Sequence, residues 1–256
     1  MIAVRGVDVS IAGRLLLAGL DFGIAESEIV AVLGPNGVGK TTLPRALAAM
    51  HPVERGSIRV DDADVASLTA AARARRIAFV TADDALTDAL SVRDVVAIGR
   101  YPHHEWWEWS ATPADRDAVE RALAEVRMDA YADRLLGTLS SGERQRIFIA
   151  LGLAQETPVL LLDEPTSHLD VRVAHEILAL LHDLARQGKS VVCVLHDLNE
   201  AAAHADRILL LGDGRLLASG DAESVFRPDV LEAAYGLPME TVRTAGGIRV
   251  FPATSR

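Results

Sequence analysis

The chain has 256 residues, half of them apolar and 4% aromatic, with a formal net charge of −10 at pH 7. That length and apolar content suffice to bury a full core. The acidic balance, with no compensating basic tail, argues against a broad electrostatic grip on DNA or RNA, which needs clustered Lys and Arg.

Met1–Arg5 lacks a charged segment leading into an apolar stretch and a small-residue cleavage site, so export is not expected. No apolar run approaches the roughly 20 residues that cross a bilayer, and any membrane role is expected to come through a partner. Val7, Val9 and Ile11 alternate with polar residues, as in a strand with one wet face. Glu28–Leu33 is instead a short continuous apolar run, which suits a strand covered on both faces of a parallel sheet.

That run ends in Gly34-Pro35-Asn36-Gly37-Val38-Gly39-Lys40-Thr41, the pattern Gly, four residues, Gly-Lys-Thr, followed by a helix expected over Thr41–Met50. The glycines let backbone N–H groups curl around phosphates, and the helix N-terminus adds positive potential. Lys40 is expected to reach the β- and γ-phosphates, Thr41 to hold Mg²⁺, and Thr42 to add a hydroxyl contact. Lysine occurs in this chain only at positions 40 and 189, so its place here stands out from an arginine background.

A buried strand is expected at Ile77–Val80. Residues from about 83 to 155 then read as a helical insertion, punctuated by Pro102, Pro113 and Gly137 and carrying Trp106, Trp107 and Trp109. Within it, Leu139–Arg146 opens a helix expected over Ser140–Gln155, with Ser140, Ser141 and Gly142 at its start. Two readings stand: a second phosphate-binding helix N-terminus, or a Ser-capped helix with Glu143 closing a capping box.

Val159–Leu162 is an apolar strand ending in Asp163-Glu164, expected beside the phosphate-loop strand. Asp163 then falls near Mg²⁺, and Glu164 could face the γ-phosphate and polarise the attacking water. Helices are expected at Arg172–Gln187 and Leu198–His204, and strands at Val191–Leu195 and Ile208–Leu211. The sole cysteine, Cys193, lies inside one of these strands and reads as a small core residue; it permits no intramolecular disulfide or thiolate metal cluster. His196 ends its strand at the edge where an imidazole could bond the γ-phosphate. Strand alternating with helix implies a doubly wound α/β core, residues 1–82 and 156–223, around the helical subdomain 83–155. Turn signals at Pro228, Gly236-Leu237-Pro238 and Gly246-Gly247 mark 224–256 as a small C-terminal appendage.

The order of Gly34–Thr41, Leu139–Gly142, Val159–Glu164, Ser167-His168-Leu169-Asp170 and His196 resembles the ATP-binding-cassette ATPases over essentially the whole chain. Within that family, Gly99-Arg100-Tyr101-Pro102-His103, Val194–Asn199 and Ala218–Asp221 resemble the importers of iron-siderophores, haem and cobalamin. The resemblance implies a P-loop NTPase core with an N-terminal antiparallel β portion, and MgATP as ligand. It implies a head-to-tail homodimer, with each ATP between the phosphate loop of one subunit and Ser140, Ser141 and Gly142 of the other. Asp170 would reach across the dimer, Glu164 would be the catalytic carboxylate, and His196 would sense the γ-phosphate. The helical insertion would dock on a membrane permease at the cytoplasmic face of the membrane, and the permease would work with an extracytoplasmic binding protein.

Four positions depart from the family pattern. Ala82 stands where a glutamine touches the metal and the water, Ile11 where an aromatic stacks on adenine, and Ser141 where the signature has glycine; Pro44 lies unusually close to Lys40. These changes lead to the expectation of a working but slower ATPase. Competing readings are a cassette ATPase outside transport, a nucleotide-binding regulatory module without turnover, and, remotely, a small-molecule kinase.

Overall fold

The computed structural model describes residues 1–81, 88–104 and 110–253; Ala82, Trp106, Trp107 and Trp109 lie outside the described residues. Strands β1 (Ile2–Ile11) and β2 (Arg14–Ile24) form a hairpin that turns at Ala12 and Gly13, both left-handed. Strand β3 (Ile29–Leu33) feeds the glycine-rich loop and α1 (Thr42–Leu47), after which β4 (Arg55–Val60) and the short β5 (Ala63–Asp64) return. Helix α2 (Ala70–Ala74) precedes β6 (Ile77–Thr81). Helices α3 (Val92–Ala97), α4 (Pro113–Glu125) and α5 (Ser141–Ala154) then lead to β7 (Val159–Asp163). Next come α6 (Val171–Arg186), β8 (Ser190–Val194), α7 (Leu198–His204), β9 (Arg207–Gly212) and β10 (Arg215–Gly220). The chain closes with α8 (Ala222–Val225), α9 (Pro228–Tyr235), β11 (Met239–Thr244) and β12 (Gly247–Pro252).

The main sheet runs β10-β9-β3-β8-β7-β6, parallel except for the antiparallel edge strand β10. A second, antiparallel sheet of order β2-β1-β4-β5 covers one of its faces. Side chains of a strand alternate between faces, and the buried strands divide accordingly. Ile29, Ala31, Leu33, Leu160, Leu162, Val191, Cys193, Ile208 and Leu210 join the helices in one core. Val30, Val32, Val159, Leu161, Val192, Val194, Leu209 and Leu211 join β1, β2, β4 and α1 in the other. Burial of both faces is why these strands read as continuous apolar runs. Cys193 is fully buried, and burial pushes its thiol up to about 12, as expected of a packed core residue.

One expectation about strand order is corrected. β7 does not lie beside the phosphate-loop strand β3, because β8 lies between them. All the parallel strands are comparably apolar, so apolarity cannot rank them. The error is harmless to the site because the glycine-rich loop and α1 reach over the end of β8, bringing Thr41 to Asp163. Helix α1 is also shorter than expected: Ala49 turns left-handed, and the N–H of Met50 returns to Arg45 O at 2.8 Å. Pro44 lies in its first turn, where an N–H has no helical partner to lose.

Between β6 and β7 the described chain is helical, and its packing is fixed by a buried polar cluster. Arg100 and Asp115 are both buried; Arg100 Nε donates to Asp115 Oδ1 at 3.0 Å and Nη1 donates to Ala154 O at 2.6 Å. Thr112 caps α4, with Asp115 closing the capping box, and His104 Nε2 lies 2.8 Å from Asp115 Oδ2. Burial alone would push the Asp115 carboxyl up, but hydrogen bonds from the Thr112 hydroxyl and N–H, Arg100 and His104 outweigh it and hold it well below the usual range. A depressed carboxylate stabilises the fold above its ordinary pKa of 3.8, and that contribution is lost as pH falls through the folded value. Urea midpoints measured from pH 7 to pH 2 should therefore fall on the acid side, and Asp115→Asn should flatten that fall while lowering stability at pH 7.

The C-terminal residues are built into the body of the protein. Val225, Phe226, Leu231, Ala234 and Val250 are buried in the same core as one face of the main sheet.

Candidate nucleotide site

The glycine-rich loop follows β3 and depends on backbone that only glycine adopts cheaply. Gly37 and Gly39 have φ of 79° and 107°. A side chain at Gly39 would in addition bring a Cβ within 2.6 Å of Leu17 Cδ2. Gly39 O accepts from the N–H groups of Thr42 and Leu43 at 3.1 and 3.0 Å, which starts α1 directly behind the loop. Lys40 is only 5% exposed and donates to Gly34 O at 2.8 Å and Pro35 O at 3.0 Å. Burial lowers its pKa, and the nearby charges of Glu164 and then Asp163 partly restore it.

Asp163 and Glu164 end β7 on the same edge. Asp163 is pushed up, first by burial and then by the charge of Glu164, with partial relief from the Thr41 hydroxyl, Arg45 and His196. Its Oδ1 is buried and has no hydrogen-bond partner among the described residues. An orphaned carboxylate oxygen beside a threonine hydroxyl suits Mg²⁺, which takes one or two protein ligands and completes its shell with phosphates and water. Among the described residues there is no group of three His, Cys, Asp or Glu that could hold a metal ion.

Glu164 sits at φ 54°, left-handed for a residue with a side chain, in a turn closed by Ser167 N–H to Glu164 O at 3.2 Å. Its Oε1 lies 2.7 Å from His196 Nε2, and its Oε2 accepts from Ser167 Oγ at 3.1 Å. Burial raises its pKa, but the hydrogen bonds and charge of His196, with Ser167 and Lys40, outweigh it and keep the carboxyl below its usual range. His196 follows β8, the strand between the loop and the acids, so strand order itself brings it to Glu164.

An open cleft of about 330 Å³ adjoins the loop, lined by Arg14, Leu15, Leu16, Pro35–Val38, Asp213 and Gly214. Ile11 lies at the end of β1, 44% exposed, outside that lining but in register with Arg14. The other expected residues lie on two helix N-termini. Ser140 caps α5, exchanging hydrogen bonds with Glu143 in a complete capping box, and Ser141 and Gly142 begin the helix. Asp170 caps α6 through Val173 N–H at 3.0 Å. Gly142 has a packing reason of its own: a Cβ there would come within 2.5 Å of Val173 Cγ1.

Three contributors were not singled out from the sequence. Ser167 follows Glu164 at turn spacing, a signal that was present. Arg45 lies one turn beyond Lys40 on α1 and acts on Asp163. Tyr235, whose hydroxyl lies near the backbone of Gly34, comes from the far end of the chain and left no local trace.

A phosphate-type loop on an inner strand of a largely parallel sheet, facing carboxylates at the end of β7, two strands away, defines an α/β P-loop nucleotide-binding protein. A family model described as ABC transporter matches residues 17–167, and the chain belongs to that family. It is 39% identical to a cobalamin import ATP-binding protein of Halobacterium salinarum over 99% of this chain, but spans only 64% of that relative's length. It is 40% identical to a hemin import ATP-binding protein of Pseudomonas aeruginosa, over 93% of each chain. In structure it matches a metal-chelate type ABC transporter in an inward-facing conformation, with TM-score 0.85, 30% identity, and 99% of this chain and 97% of the other covered.

Proposed function

We propose that the chain is the ATP-binding and ATP-hydrolysing subunit of an importer for an iron-siderophore, haem or cobalamin-type cargo. The observation that carries this reading is the buried Lys40 beside Asp163 and Glu164, with His196 seated on Glu164 at 2.7 Å. Lys40 and the loop N–H groups bind the phosphates of ATP. Thr41 and Asp163 hold Mg²⁺, which, when bound, neutralises charge on the phosphates. Glu164 stays ionised and orients the attacking water, while His196 fixes the carboxylate and meets the γ-phosphate. Nothing in a regulatory module without turnover requires that pairing.

The base lies in the cleft beside Arg14–Leu16, with Ile11 giving apolar contact from its rim in place of aromatic stacking. Ser140, Ser141 and Gly142 act in trans on the ATP of a second copy, and Asp170 reaches across the same seam. Exposure supports this assignment: Ser140, Ser141 and Asp170 face outward, and Val171 beside Asp170 is 88% exposed, unusual for an apolar residue without a partner. The helical subdomain, residues 83–155, docks on a transmembrane permease at the cytoplasmic face of the membrane, and the permease receives cargo from an extracytoplasmic binding protein. Among the described residues no helix is long and apolar enough to cross a membrane, so this chain leaves the crossing to that partner. Ala82 supplies no polar group to metal or water, and turnover is correspondingly slower.

Co-expression with a metal-chelate-type permease should yield a co-purifying membrane complex whose cargo uptake stops when ATP is replaced by a non-hydrolysable analogue. A chain that stays unattached to any permease and instead binds duplex DNA tightly at physiological salt would overturn the transport reading.

A further inference from the structure

We infer that the C-terminal segment Pro228–Ala253 is a strap that positions the hydrolytic machinery: Val250 holds Asn199 behind His196. The inference rests on the proposed ATPase reading and deepens it.

The strap is anchored in the middle of the protein. Helix α9 begins at Pro228, buries Leu231 and Ala234 against β9 and β10, and ends where Gly236 turns left-handed at φ 71°. That stop leaves Tyr235 as the last helical residue, half-buried.

At the other end, β11 and β12 pair from Met239↔Pro252 to Thr244↔Gly247, and Ala253 N–H returns to Pro238 O at 2.9 Å. Strand β12 meets α7 through one amide side chain. Val250 N–H donates to Asn199 Oδ1 at 2.9 Å, Asn199 Nδ2 donates to Val250 O at 3.2 Å, and Arg249 Nη1 donates to Asn199 O at 3.2 Å. The side chain of Asn199 pairs with a strand backbone as another strand would. Asn199 lies in the first turn of α7, just after His196 and the capping residue Asp197, so this grip sets the direction in which the chain leaves the histidine. Asn199 is therefore a positioning residue for the Glu164–His196 pair.

The test uses the full chain with Asn199→Ala. ATP affinity is measured by equilibrium binding in a Glu164→Gln background, which does not depend on turnover; kcat and melting temperature are measured with Glu164 intact. Asn199→Ala should lower kcat about three- to tenfold with ATP affinity held. Asn199→Gln, which keeps the amide at a longer reach, should recover part of the lost kcat. If Asn199→Ala leaves kcat unchanged, or if kcat and affinity simply follow melting temperature, the strap is ordinary packing and the inference fails. Failure of the ATPase reading looks different: hydrolysis would then survive Glu164→Gln.

Discussion

ATP hydrolysis by Glu164→Gln should fall about 10²- to 10⁴-fold, the usual worth of a positioned general base, while ATP affinity stays within a few-fold of wild type. Glutamine matches glutamate in size, so the left-handed turn at residue 164 and its contact with Ser167 can persist. The carboxylate charge is what disappears, and with it the charge assistance of the contact that His196 Nε2 makes at 2.7 Å. A single-turnover assay with ATP binding measured on the same sample separates the two effects. Hydrolysis at the wild-type rate would remove Glu164 from the mechanism. The pH profile carries a second signature: Glu164 is held below its ordinary 4.5, so a limb that reports its protonation belongs on the acid side of that value and not near neutrality.

Lys40→Met should cost ATP affinity at least about 100-fold, because the ammonium makes charge-assisted hydrogen bonds to phosphate, worth about 1.5–3 kcal/mol each, that a thioether cannot replace. Methionine preserves most of the buried volume. Two effects on folding oppose each other. Removing a desolvated charge relieves the folded state, as its lowered pKa implies, while Gly34 O and Pro35 O lose a donor. The melting temperature of the nucleotide-free protein should therefore move little, and the shift that ATP normally produces should vanish. A variant that still gains thermal stability from ATP would refute the role given to Lys40.

The parts of the site legible in the sequence are those whose chemistry is local. The loop from Gly34 to Thr41 could be read because its glycines, lysine and helix start lie within a few residues of one another. Asp163 and Glu164 could be read because a buried strand must end somewhere wet. The two readings of Ser140 share the same atoms: the capping box with Glu143 exists within the chain, and the helix N-terminus it caps is exposed, as the proposed contact with a second copy requires. Strand order was not legible, since β7 and β8 are comparably apolar and only packing decides which neighbours β3. The pairing of Val250 with Asn199 was not legible for a stronger reason. It joins residues 51 positions apart and obeys no periodicity.

Gly142 has a consequence for how two copies could meet. Its missing side chain lets α5 lie directly on Val173, in the first turn of the helix that Asp170 caps. The two helices share one seam, so whatever tilts one carries the other. In the proposed dimer a subunit would therefore offer its two helix starts to a neighbour as a single rigid stamp.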